Sequence, residues 1–183
     1  HIEADSTQFD VKGDARINGT PATLEFQQNA GDPLADLRVQ AVLDDAARRR
    51  LGINFGSTVS GNIPVTMVGR IGADDSKDQL NIDADFTAAK IDELLPGWTK
   101  PPGKPARVTF SLVKTPKSPR FDNLTLESQG GLAKGSIEID PRGDLLSANF
   151  PVFALSGGDQ VSLRAERGSD GALRVPMSVE GYD

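Results

Sequence analysis

The side chains able to do chemistry in this chain are almost all carboxylates, and few partners stand beside them. The 183 residues include 26 Asp and Glu, 20 Lys and Arg, one histidine and no cysteine. A thiol nucleophile, a disulfide and a zinc-thiolate site are therefore excluded. The one histidine is His1, at the first position, so Ser-His-Asp and Cys-His catalysis lack a base. Two carboxylates could cleave a glycosidic bond. With acidic residues scattered this densely, however, some pair is inevitable by chance, and a solvated strand face is the plainer reading. Ala73-Asp-Asp-Ser-Lys-Asp78 has the carboxylate density of a calcium loop. It lacks the Asp-x-Asp-x-Asp-Gly register and the distal Glu, and reads as a solvated turn. Gly13, Gly19, Gly61, Gly69, Gly135 and Gly143 form no phosphate cradle and mark strand ends, bulges and bends. The expectation is a non-enzymatic chain with no cofactor and no metal.

Charge narrows the partners. A net charge of −6 and the lack of a basic stripe argue against nucleic acid. The basic run Arg48-Arg49-Arg50 follows Asp44-Asp45 and reads as solvated helix surface in preference to a phosphate or headgroup contact. No stretch of 18 apolar residues is present to span a bilayer as a helix. The chain opens His1-Ile-Glu3 without Met, which reads as a piece of a longer protein whose anchor or export signal lies elsewhere. Trp98, the only tryptophan, reads as a hydrophobic plug over a sheet edge or helix.

The elements that must position these residues alternate with period two. Phe9, Val11, Ala15 and Ile17 share one parity, as do Ala22, Leu24 and Phe26. So do Val108, Phe110 and Leu112, then Leu124 and Leu126, then Ile137 and Ile139, and Val161, Leu163 and Ala165. A last segment runs Leu173, Val175, Met177 and Val179. Polar residues fill most intervening positions, which gives about ten strands with one oily face each. Asn18-Gly19, Asn29 to Pro33, Asp140-Pro-Arg-Gly143 and Gly168 to Gly171 read as the turns between them. One-sided strands imply antiparallel meanders, because parallel strands buried on both faces read as continuous apolar runs.

A strand-then-helix phrase occurs twice, 43 residues apart. Leu37 to Leu43 alternates and is followed by Asp44 to Leu51, with Asp44 as N-cap. Leu80 to Phe86 alternates and is followed by Thr87 to Leu95, with Thr87 as N-cap and Ile91, Leu94 and Leu95 on one face. The pattern predicts two short helices and a stacked supersecondary unit. Pro96-Gly-Trp-Thr-Lys-Pro-Pro-Gly-Lys-Pro105 forbids a helix or an interior strand. It reads as an ordered loop, and possible halves 5–97 and 105–183 flank it within a single β-rich module, 1–183. The fold expected is mainly β, an antiparallel meander with two short helices. It would be either a curved, groove-like open sheet or a β-sandwich. A trough lined by small aliphatics would suit acyl chains, at about 0.8 kcal/mol per buried methylene.

Several of these stretches, taken in order, resemble the C-terminal regions of the AsmA-like family of bacterial envelope proteins, the group of YhdP and TamB, alphaproteobacterial type. They are Leu43-Asp-Asp-Ala-Ala-Arg-Arg-Arg-Leu-Gly52, Ser60-Gly-Asn-Ile-Pro-Val65, Leu80 to Phe86, Leu95-Pro-Gly-Trp-Thr-Lys100 and Phe153-Ala-Leu-Ser-Gly-Gly-Asp159. The resemblance runs roughly from Phe9 to Gly181 and rests on order and spacing, not on one specific motif. It implies a periplasmic protein anchored in the inner membrane by a segment outside this sequence. Repeated β-units would form a groove for phospholipid, with acyl chains and neighbouring repeats as partners and a role in outer-membrane biogenesis. The family offers no catalytic residues to carry over. Candidate lipid contacts are then the alternating apolar positions Val39, Ala41, Leu80, Ile82, Ala84, Val108, Phe110, Leu112, Leu124, Ile137 and Ile139. The rival reading is a closed structural or protein-interaction β-sandwich; an enzyme using a carboxylate pair stands third.

Overall fold

A computed structural model describes residues 1–4, 8–53, 56–72, 78–95, 98–114, 119–139, 145–154, 161–174 and 177–178. Residues 73–77, expected in a solvated turn, residues 140–143, expected in a hairpin turn, and residues 155–159 lie outside the described residues.

Alternation builds one large sheet. Its strands in chain order are β1 (Ile2–Ala4), β2 (Gln8–Ile17), β3 (Thr20–Asn29) and β4 (Leu34–Leu43). After α1 (Asp45–Arg50) and β5 (Val59–Ser60) come β6 (Ile63–Gly72) and β7 (Gln79–Asp85). Next are β8 (Lys90–Leu95), β9 (Trp98–Lys100), β10 (Ala106–Lys114), β11 (Pro119–Ser128), β12 (Gly131–Ile139) and β13 (Leu145–Ala154). The chain ends with β14 (Val161–Arg167), β15 (Leu173–Arg174) and β16 (Met177–Ser178). Thirteen strands form a single antiparallel sheet in near-sequential order, β1-β2-β3-β4-β6-β7-β10-β11-β12-β13-β14-β15, with β16 also on β14. The sheet is open: β1 and β15 stand at opposite edges and do not pair. Of the two architectures expected, the open sheet is found, not two comparable sheets face to face.

Turn chemistry sets the registers. Asn18 and Gly19 both have positive φ (48° and 81°) and Ile17 pairs with Thr20, a type I′ hairpin whose twist matches the strands it joins. In β11 the residue Asn123 (φ 51°) sits in a bulge, between the pairs Thr109–Thr125 and Ser111–Asp122. The extra residue shifts the parity, so Phe121 joins Leu124 and Leu126 on one face. A second bulge falls in β13 where Lys134 pairs with Val152 and Ser136 with Asn149. It accommodates Pro151, which has no N–H for the ladder.

The first expected helix is present. Asp44 caps it, its carboxylate accepting from the Ala47 N–H at 2.7 Å. The second is not. Thr87-Ala88 is a turn, with the Ala89 N–H donating to the Phe86 carbonyl at 3.1 Å, and Lys90–Leu95 is strand β8. Ala89 and Ile91 alternate with Lys90 and Asp92, so the segment fits period two as well as a short helical face. A nine-residue helix gains little by itself, whereas β8 gains strands on both sides. Val59 pairs with Ile91 and Ile91 with Lys100, which makes a small sheet in the order β5-β8-β9. The proline-rich stretch thus carries a three-residue edge strand, β9. It interrupts the chain and not the large sheet, since β7 pairs directly with β10 across it.

The small sheet caps one end of the oily face. Val59, Phe86, Ala89, Ile91 and Trp98 are buried in one cluster with Ile63, Ala84, Ala106, Leu126, Ala133, Ala148, Phe150 and Ala165 of the large sheet. Ile91 is 1% exposed. Trp98 does what the sequence suggested of it and plugs the sheet end.

Candidate functional site

Pairing register converts the alternation into rows that cross the strands. In one row Leu24 lies opposite Val39, Val39 opposite Met67, Met67 opposite Ile82 and Ile82 opposite Phe110. The row beside it is smaller: Ala22, Ala41, Val65, Ala84, Val108 and Leu126 oppose one another in turn. On the other side run Leu37, Gly69, Leu80, Leu112, Phe121 and Ile137. Residues paired directly across antiparallel strands share a face, so these rows form one apolar surface. Phe110 and Phe121 meet edge to face at 5.2 Å, and Phe9 and Phe26 at 6.3 Å.

The two copies of the repeated phrase flank β6 in matching register. Leu37 and Leu80 both oppose Gly69, Val39 and Ile82 both oppose Met67, and Ala41 and Ala84 both oppose Val65. The repeat is therefore a geometric one on β4 and β7, although β4 leads into a helix and β7 into a turn.

Ten of the nominated positions, Val39, Ala41, Leu80, Ile82, Ala84, Val108, Phe110, Leu112, Leu124 and Ile137, share this face, by the registers above and the pair Leu124–Gly135. Ile139 pairs with Leu145 through its backbone, and its side chain lies outside the described residues. The set divides by cover. Ala84 is buried in the capped cluster, and Val108, Leu124 and Ile137 pack against it. Ala41, Leu80, Ile82, Phe110 and Leu112 stay half-buried, while Val39 is buried between Leu24 and Met67. Sequence reasoning did not nominate Leu24, Leu37, Met67 or Phe121 as lipid contacts, although it placed Leu24 on the oily side of its strand and Leu37 in the alternating phrase. Val68, apolar on the outer side, blurs the alternation around Met67. Asn123 hides Phe121, because a bulge breaks the count.

The opposite face is charged and paired. Arg70 meets Asp32 at 2.8 Å and Asp36 at 3.2 Å. Arg107 holds Asp83, Arg120 meets Asp122 at 2.8 Å, and Lys12 meets Glu25 at 3.3 Å. An open depression of about 780 Å³ lies here among Asp83, Asp85, Thr87, Arg107 and Glu127. Two of its three strand carboxylates, Asp83 and Asp85, are engaged. Asp83 faces Arg107, and Asp85 accepts from the Thr87 N–H at 2.9 Å. Hydrogen bonding from Thr87, side chain first and backbone second, holds the Asp85 carboxyl below its usual value of 3.8. That keeps it ionised, the wrong state for a general acid at neutral pH. Among the described residues no group of three or more His, Cys, Asp or Glu could hold a metal ion.

Two buried cations were not foreseen. The run Arg48-Arg49-Arg50 is not uniformly solvated surface: Arg48 is 4% exposed. Its guanidinium donates to the carbonyls of Leu43 (2.9 Å) and Gly61 (2.7 Å) and pairs with Asp45. It ties α1 to the segment that enters the cap. Lys100 is buried too, its ammonium donating to the carbonyls of Thr87 (3.1 Å), Pro101 (2.9 Å) and Lys104 (3.0 Å). Burial lowers its pKa, and Asp85 opposes that shift. Spacing alone could not separate Arg48 from its exposed neighbours, because the acceptors lie on other elements.

Comparison with protein-family models, curated proteins and solved structures finds no match to this chain.

Proposed function

We propose that this chain is a periplasmic groove segment of an AsmA-like envelope protein that conveys phospholipid between the membranes in outer-membrane biogenesis. Its anchor in the inner membrane lies outside this sequence, and its partners are acyl chains and neighbouring repeats. One observation carries the reading: a single open sheet with a continuous apolar face, capped at one end and half-buried beyond the cap. Acyl chains lie across the rows of Leu24, Val39, Met67, Ile82 and Phe110, and headgroups stay at the rim. The mechanism is passive solvation, with no bond made or broken.

The test is the lipid content of the purified protein, read by mass spectrometry after extraction, with a closed β-sandwich as control. Stoichiometric phospholipid in the wild type, lost in a folded Ile82→Asp variant, is the expected result. Val108→Asp strikes a residue packed against the capped core and is expected to unfold the chain. Wild-type protein free of lipid, or an unchanged load in Ile82→Asp, contradicts the reading. The capped cluster itself favours a second reading, a structural module that spaces a longer protein; a lipid-free wild type would select it.

A further inference from the structure

The outer edge of β2 is only partly covered. β1 pairs with Phe9, Asp10 and Val11, and His1 exchanges backbone hydrogen bonds with Lys12, at 2.7 and 2.9 Å. Along residues 13–17 no strand among the described residues pairs on that side, while β3 holds the other. Backbone N–H and C=O groups turn to alternate sides of an antiparallel strand, and Lys12 sets the parity. Asp14 and Arg16 therefore direct theirs outward, and Ala15 directs its own toward β3. An edge of this kind is a template for another strand.

These five residues complement themselves. Laid antiparallel to a second copy about Ala15, the edge places Asp14 opposite Arg16 of the copy and Ile17 opposite Gly13, each in both directions. The Asp14–Arg16 positions are the hydrogen-bonded ones, where paired residues exchange both N–H···O bonds and unlike charges stand directly opposed. Gly13, Asp14, Arg16 and Ile17 are all exposed, Ile17 by 43%. A Cβ on Gly13 would meet nothing within 4 Å, which leaves room above it for the Ile17 side chain of the copy. Centring the pair on Asp14 or Arg16 instead would set like charges face to face. Past Ile17, the Asn18-Gly19 turn carries the copy's chain toward its own β3 and away from the shared edge.

We infer that residues 13–17 are an interface at which two copies of this chain join edge to edge, antiparallel and centred on Ala15. The two-fold axis stands normal to the sheet and keeps each face on its own side. Gly13, Ala15 and Ile17 lie opposite Leu24, Ala22 and Thr20, so the apolar face of one copy runs on into that of the other. The pairing does not depend on what the apolar face binds.

The experiment is sedimentation velocity of the full chain over a concentration series, with circular dichroism of every variant to confirm folding. Wild type is expected to pass from monomer to dimer as concentration rises, and no further. D14R and R16D each oppose like charges and are expected to raise the dissociation constant roughly tenfold or more. The double swap D14R/R16D restores unlike pairs and is expected to dimerise as wild type does, as is an equimolar mixture of the two single variants. The chain has no cysteine, so A15C places its sole thiol against that of its copy. Mild oxidation is expected to give a covalent dimer from A15C and none from N81C on β7. A wild type that stays monomeric, leaving the edge to a different strand, overturns the proposal. Growth beyond a dimer, the mark of head-to-tail edge pairing, overturns it too. So does a dimer equally strong in R16D, or a charge swap that fails to restore the dimer lost in the single variants.

Discussion

At the scale of single residues, the structure assigns sharply different costs to changes that look alike in sequence. A Cβ on Gly135 would fall 2.1 Å from the Asn149 carbonyl oxygen, and one on Gly69 would fall 2.3 Å from that of Gln79. These are backbone atoms held in ladders, and they cannot turn aside. Gly13 lies in a similar strand with nothing within 4 Å. Gly135→Ala is therefore expected to cost about 2–3 kcal/mol or more, and Gly13→Ala to stay within about 0.5 kcal/mol, as read from urea midpoints. Arg48 and Arg49 make a second such pair. Arg48→Met leaves Asp45 and two carbonyls without their donor, an expected loss of about 3 kcal/mol; Arg49→Met is expected to change little. A loss at Arg49 equal to that at Arg48 would remove the case for a buried latch. None of this was legible in the sequence, since each difference depends on what another strand places opposite.

Among elements, period-two patterning carried most of the information. The strands around Val11, Leu24, Val108 and Ile137 lie where their parity put them, because one buried face enforces one register. The helix expected over Thr87 to Leu95 fails for a physical reason: Ile91, Leu94 and Leu95 satisfy a helical face while Ala89 and Ile91 satisfy a strand face. Tertiary pairing with Val59 and Lys100 decides between them. Ile91 is the most telling probe, and Ile91→Ala is expected to cost about 2–5 kcal/mol. A loss under about 1 kcal/mol would mean that the cap does not pack as described. The turn that leads into β8 also predicts a pH dependence. The Asp85 pKa is lowered in the folded state, so its contribution is present above the unfolded value and is lost as pH falls through the folded one. Asp85→Asn is accordingly expected to destabilise at pH 7 and to match wild type at about pH 2. An equal gap at both pH values would contradict the assignment of Thr87 as its partner.

For the whole molecule, the open sheet with opposed faces was legible as a class, while the balance between sandwich and trough was not. Alternation says that a strand has an oily side, and it is silent on what covers that side. The chain resolves the question unevenly. The cap formed by β5, β8 and β9 covers the end near Phe86 and Trp98, and the rows through Met67 and Ile82 remain half-buried. The lipid reading places its ligand on those rows. The most direct test is a photo-crosslinking side chain at position 82, compared with one at position 81 on the opposite face of the same strand, β7. Each purified protein is irradiated as isolated from a bacterial envelope and weighed intact. The account predicts a phospholipid adduct at Ile82 and none at Asn81. Adducts at neither position, or equally at both, would contradict it.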